Sequence, residues 1–418
     1  MINDLTVGHP LKLIIKFALP LLLGNLFMQL YQVSDMIVVG HLISVNALAA
    51  IGASTPIYMV FLTPLLKLMN MPAEIFDLAY DFMYTMTWST SLIILYNLLS
   101  GFIRALGDSK TPLYFLIFSS LVNIVLNFVF IKYFKLGVVG SALGTLVSTA
   151  LALVICYIYM WKKFPLLRLK KEFMHYDSEM MKAHLRLAFP MALQFSILSV
   201  SIMIVQSVCN SFGADVIAAF ATAFRIEQFV VQPMLAIGLS MATFTAQNWG
   251  ANLLSRIRRG VRYAFIITTL MSICGFLLMR QFGQDMIAWF IDTGDTSGGN
   301  NTALILEIGK QYLVISTMFY VFFGAIFVFR NTIQGMGKPL LPLVSSFVEL
   351  LTRVYAAICL AKAIGYEGIM YASPISWAAA GTLVIIGYNY YIHVFKTQTF
   401  RWKIGEIKQS LRENGPVD

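Results

Sequence analysis

Five charged residues stand in strongly apolar surroundings: Asp35, Arg225, Glu227, Glu349 and Arg353. If those surroundings are lipid, each charge costs about 2.5–3.5 kcal/mol on insertion scales, so each needs a partner, a wet cavity or a functional role. Asp35 sits in YQVSDMIVVG, and at about 100° per residue Asn25, Gln29, Gln32 and Asp35 share an arc of about 120° on one helix. A carboxylate flanked by neutral amides can bind and release H⁺ or Na⁺. The lesser alternative is that it caps a helix or pairs with a neighbour. Glu349 and Arg353 are four residues apart, so they can pair on one helix face, and a local ion pair would explain both without any transport role. Arg225 and Glu227 are two apart and point to different sides. They follow the loop at Gly213, which fits an interfacial placement with structural and gating roles both open. Gln228, Gln247 and Asn248 fall in the same gating-or-structural group.

The elements that must carry these residues follow from composition. The chain has 418 residues, 58% of them hydrophobic and 12% charged. Soluble domains carry about 25% charged residues. Runs near twenty residues with almost no charge match a hydrocarbon layer about 30 Å thick. In lipid the backbone must satisfy its own hydrogen bonds, so these runs are helices. Ten spans are expected, at about 14–40, 80–103, 112–134, 138–160, 187–211, 226–247, 261–281, 308–329, 339–361 and 367–395. The expected fold is an all-α integral membrane protein of two related helical bundles.

With the N-terminus placed in the cytoplasm, most of the 30 Lys and Arg fall on the inner side. They include the run from Lys162 to Arg186, the RIRRGVR loop and the tail, and Arg330 is counted with them. The net charge of +10 therefore marks a cytoplasmic face rather than a nucleic-acid site. Both termini and the 161–186 connection are expected inside, in the inner membrane of a prokaryote. The four cysteines lie singly in apolar segments, His41 and His393 are isolated near helix ends, and no P-loop, metal cluster or nucleophile elbow occurs. Neither an enzyme nor a resident cofactor is expected.

The chain repeats itself. KFALPLLLGNLFMQLYQ (16–32) matches RLAFPMALQFSILSVSI (186–202), NALAAIGAS (46–54) matches DVIAAFATA (215–223), and LGDSKTPLYFLIFSSLVN (106–123) matches QGMGKPLLPLVSSFVE (334–349). Two related halves are a hallmark of secondary transporters, with the substrate path between the repeats. The expected organisation is a lobe over 1–160, a connection over 161–186, a second lobe over 187–395 and a tail over 396–418. The halves are unequal: Pro20 to Lys110 is 90 residues and Pro190 to Lys338 is 148. The first half therefore looks short by a helix pair. Segment 47–69, with Pro56 and Pro64, is expected to bend or re-enter, because a full span there would invert every later basic loop.

The stretches KFALPLLLGNLFMQLYQVSDMIVVG, ALAAIGAS, IRALGDSKTP, NIVLNFVFI with GVVGSALGT, and AAFATAFRIEQF with TFTAQNWGA resemble the multidrug and toxic compound extrusion (MATE) family. The resemblance covers almost the whole chain, and its specificity lies in the ordered set. It implies twelve helices in two lobes forming a V, most of helices two and three being missing here. It also implies export of cationic, often aromatic compounds in exchange for Na⁺ or H⁺. Asp35 matches the family's first-helix acid, with a Na⁺ site expected near it. Asn123, Asn127 and Thr145 fall at the positions of its ion-coupling partners, and Asn127 replaces a second acid. No acid occurs from Pro190 to Gly213, so the helix-seven coupling site of another branch is absent. Asn25, Gln29, Gln32, Gln194 and Ser201 are the expected cavity residues. A monomer in the lipid bilayer with small-molecule substrates is expected. The alternatives are a lipid-linked precursor flippase of the same superfamily, which usually carries more basic residues at membrane depth, and a shortened protein that no longer transports.

Overall fold

A computed structural model describes residues 4–42, 73–168, 177–289 and 302–414. Segment 47–69 lies outside them. The described residues form α1 (Pro10–Leu42), α2 (Ala73–Ala105), α3 (Lys110–Phe128, running on as a π-turn over Val129–Tyr133) and α4 (Gly137–Lys163). They continue as α5 (Ser178–Asn210), α6 (Ala214–Gly250), α7 (Leu254–Ala288), α8 (Thr302–Met318), α9 (Tyr320–Gly335), α10 (Leu340–Ile364) and α11 (Tyr366–Asn414). Nine of these helices are long and apolar enough to cross a membrane, and α8 with α9, bent by 48°, make a tenth, broken span.

Helix α3 shows why the chain needs a bilayer. Its buried side carries Ser120, Asn123 and Asn127, while Phe118 (42% exposed), Leu121 (58%) and Val125 (61%) face outward. Helix α10 repeats the pattern, with Ser345, Ser346, Glu349 and Arg353 inside and Leu351 and Tyr355 outside. Polar-in, apolar-out is the reverse of a soluble helix, and only lipid tolerates it without cost.

Two compact units make up the chain. One takes Met1–Asp4 and Ile15–His175, the other Leu5–Ile14 and Tyr176–Asp418. The lobes expected over 1–160 and 187–395 differ from these units chiefly at Leu5–Ile14, which pack with the second. In the first unit α4 packs on α2 and α3, around Tyr96, Ile103, Cys156 and Met160. In the second, α6 runs through the middle against α7, α8 and α9, while α10 pairs with α11 and α5. Val216, Ala219, Ala223, Ile287, Ile308 and Leu313 fill one of its apolar clusters.

The repeat is visible in the backbone. Gly107 (φ +87°) and Gly337 (φ +74°) end α2 and α9 in the same turn. In each, the glycine N–H donates three residues back (2.9 Å in both) and the next N–H donates five residues back (3.2 Å in both). The left-handed φ is what glycine supplies at a helix C-terminus. These turns pair Gly107 with Gly337, two residues off the register in which LGDSKTP and QGMGKP align by sequence.

Candidate functional site

The interior of the second unit is built around Glu349. One carboxylate oxygen accepts from Arg353 Nη2 at 2.7 Å and the other from Arg330 Nη2 at 3.0 Å. Arg353 also donates to Ser201 (3.1 Å) and Ser376 (3.2 Å), and Arg330 donates to Ser345 (3.3 Å). With the Gln194 amide turned so that its oxygen faces Arg330, that oxygen accepts from Nε (3.0 Å), Nη1 (3.1 Å) and the Ser346 hydroxyl (3.2 Å). All three charged residues are buried, so two guanidiniums share one carboxylate and the cluster carries one net positive charge. The expected Glu349–Arg353 pair is there. Arg330 was read as an inner-loop cation and is instead a buried member of α9. Gln194 and Ser201, expected in a cavity wall, hold the arginines.

Glu227 lies 13 residues inside α6, because that helix starts at Ala214 and not near 226. It is 5% exposed, which corrects the interfacial reading. Its two oxygens accept from Tyr312 (2.8 Å) and Tyr320 (3.2 Å). These tyrosines flank the break at Phe319. A straight helix would separate them by about 12 Å along its axis, and the 48° bend helps both hydroxyls reach one carboxylate. Arg225 is exposed, unlike the buried Glu227. It joins Arg353, Tyr312, Gln206, Phe220 and Phe224 in the wall of a cavity of about 270 Å³. Gln228 is half-buried on the same helix.

The first unit has a neutral counterpart. Asn123, Asn127, Thr145 and Ser148 are buried together between α3 and α4. Asn123 Nδ2 donates to Thr145 Oγ1 (3.2 Å) and Ser148 Oγ (3.4 Å), and Asn127 Nδ2 donates to Asn123 Oδ1 (2.9 Å). Gly144 makes the room, since a Cβ there would fall on the Asn127 amide. The three residues picked out from the resemblance are thus brought into one cluster. Its place in the fold matches the arginine network: Asn123 and Arg353 each lie 16 residues past their glycine turn, and each donates to a serine, Ser148 or Ser376, on the following helix. Asn25 lines a separate opening of about 240 Å³ with Pro20, Tyr96, Asn97 and Arg104. Gln29 is half-buried on α1. Gln32 and Asp35 belong to α1, and their side chains lie outside the described set.

Gln247 and Asn248 hold the N-terminal segment. Leu5 N–H donates to Gln247 Oε1 (2.9 Å), Asn248 Nδ2 donates to the Leu5 carbonyl (3.2 Å), and Arg256 Nε donates to Asn248 Oδ1 (3.0 Å). Outside the spans, Asp108 knits the α2–α3 turn. It accepts from the Lys110 and Thr111 amides (3.1 Å each), the Thr111 hydroxyl (2.7 Å) and Tyr159 (2.8 Å). Burial pushes its carboxyl up, but these bonds outweigh burial and hold it below the ordinary aspartate value.

Apolar exteriors, polar networks inside two repeated units and a broken span beside a buried carboxylate define a multi-pass membrane protein of the transporter class. The MatE family model matches residues 57–129 and 190–358, more than half of the chain. The chain belongs to the MATE family of membrane transporters. Probable multidrug resistance protein YpnP of Bacillus subtilis (strain 168) is 26% identical over 444 residues, 93% of this chain and 96% of that protein. That alignment is longer than the chain, and at 93% coverage about 55 of its positions hold no residue of it, close to the 58 by which the second half exceeds the first. The FAD transporter of Shewanella oneidensis is 22% identical over 347 residues, 80% of this chain and 72% of that protein. The fold is similar to a solved outward-facing multidrug resistance MATE transporter of the MOP superfamily, with TM-score 0.84, 19% identity, and 95% and 98% of the two chains covered.

Proposed function

We propose that this chain is a secondary active exporter that moves small amphipathic molecules across a prokaryotic inner membrane in exchange for H⁺ or Na⁺, with both termini in the cytoplasm. The observation that carries the reading is the pair of polar interiors at equivalent places in two repeated units of a MATE-family protein. An antiporter needs sites whose occupancy differs between its two access states. Asp35, matched to the family's first-helix acid, is the proposed coupling residue, and Asn123, Asn127 and Thr145 are its proposed neutral partners. Glu227, a buried acid held by two hydroxyls beside the broken span, is the second candidate. Of the two substrate properties implied by the resemblance, aromaticity is supported by the Phe220, Phe224 and Tyr312 wall, whereas positive charge is not.

The name of the Bacillus relative, a probable multidrug resistance protein, supports drug efflux, and the Shewanella relative is named a FAD transporter. The flippase alternative stays open on one observation: Arg330 and Arg353 are buried in the second unit and Arg225 lines its cavity, more basic character than the sequence reading allowed. The test is ethidium efflux from energised vesicles, with separate dissipation of the proton and Na⁺ gradients. Asp35→Asn keeps the shape and removes the charge, so it should abolish ion-driven efflux at unchanged expression. Full efflux in Asp35→Asn, lost in Glu227→Gln, would move coupling to the second unit.

A further inference from the structure

The cavity of the second unit has a sign. Its wall carries two guanidiniums, Arg225 and Arg353, together with the Tyr312 phenol. The two nearby carboxylates stand one layer back: Glu227 behind the Tyr312 hydroxyl at 2.8 Å, and Glu349 behind Arg353 at 2.7 Å. Glu349 is shared with Arg330, so it cannot fully neutralise Arg353. Arg225 takes part in none of the ion pairs among the described residues. A ligand entering the space would therefore meet cations and aromatic rings before it met an acid. Arg353 is also held in place, by Ser201, Ser376 and Glu349, so its charge is preorganised rather than swinging free. The equivalent place in the first unit holds Asn123 and no charge, so the repeat itself does not require an arginine there.

We propose that this cavity binds an aromatic or otherwise apolar anion, its carboxylate or phosphate facing Arg225 and Arg353 and its apolar body against Phe220, Phe224, Val205 and Ile202. Guanidinium suits both anion types because its planar fork matches their oxygens. As a substrate site the cavity rests on the exporter reading; as a binding site it does not, and binding is therefore the test.

Fluorescein and rhodamine 123 share a xanthene ring and differ in charge. Their fluorescence anisotropy would be followed with the purified full chain in a non-ionic detergent, at mildly alkaline pH where fluorescein is an anion. Fluorescein is expected to bind about tenfold or more tightly than rhodamine 123. Arg225→Gln should weaken fluorescein by about tenfold and leave rhodamine 123 unchanged, and Arg225→Lys should restore most of the affinity. Arg225 is exposed, so these variants leave the buried network intact, and a thermal melt equal to the parent's verifies it. Displacement by dioleoylphosphatidylglycerol but not dioleoylphosphatidylcholine would identify a lipid headgroup as the natural anion, and persistence against both would identify a soluble one. Tighter binding of rhodamine 123, or fluorescein affinity unchanged in Arg225→Gln, overturns the proposal. Binding as expected with no gradient-driven transport would keep the site and sink only the exporter reading.

Discussion

Glu349 is the residue on which most of the second unit's buried charge depends. Removing one member of a buried ion cluster leaves the others uncompensated and costs about 3–5 kcal/mol. Glu349→Gln should therefore lower the thermal stability of the purified protein by that order, and a melting temperature within a degree or two of the parent's would show that the arginines find other partners. Asp108 gives a pH-dependent counterpart at the membrane edge. Its folded carboxyl titrates below the unfolded value of about 3.9, so its contribution is fully present above that pH and is lost as pH falls through the folded value. Thermal melts of Asp108→Asn against the parent should differ at neutral pH and converge in acid, whereas a constant difference would assign the effect to packing. Some of this was readable beforehand. Glu349 and Arg353 announced their pairing by a spacing of four. Arg330 did not, because a cation seven residues before the Gly337 turn looks like a loop charge. Only the second oxygen of Glu349, which a local pair leaves without a cation, pointed to it.

At the scale of elements, apolar length located the spans well, since hydrocarbon thickness fixes it. Helix starts were harder. Helix α5 begins at Ser178, capped by the Asp177 carboxylate on the Glu179 and Met180 amides (2.9 and 3.2 Å), inside what reads as a basic loop. Helix α6 begins at Ala214 rather than 226, which is why Glu227 was misread as interfacial. The break at Phe319 left no mark in the sequence: STMFY contains neither Pro nor Gly, and tyrosine contacts to another helix accompany it. The α3–α4 seam depends on Gly144. Gly144→Ala would force the Asn127 amide out of its place and should cost about 1–3 kcal/mol, read as a lowered melting temperature. A wild-type melt would mean that the seam opens without penalty. At the N-terminus, Asn248→Ala removes one of the two donors to the Leu5 carbonyl, Arg256 Nη2 (3.3 Å) being the other, and the acceptor that orients Arg256. Residues near Leu5 should then be cut faster in limited proteolysis, and equal cutting rates would show that Gln247 and Arg256 suffice.

For the whole molecule, duplication and its asymmetry were both legible in sequence. The LGDSKTP and QGMGKP stretches recur at glycine turns that match to within two residues, and the family match falls in two places of unequal length. What sequence could not supply was the different polarity of the two interiors. An amide and an arginine occupy equivalent places, and the glycine turns and the serine each one contacts reveal the equivalence. The central claim is that this unequal pair of units still performs gradient-driven transport. The direct measurement uses purified protein in liposomes, an imposed Na⁺ or proton gradient, and the movement of ethidium and of carboxyfluorescein across the membrane. Transport of at least one dye that stops when the gradient is dissipated is the predicted result. No gradient-dependent movement of either dye, from protein that is folded by its thermal melt, would contradict the account.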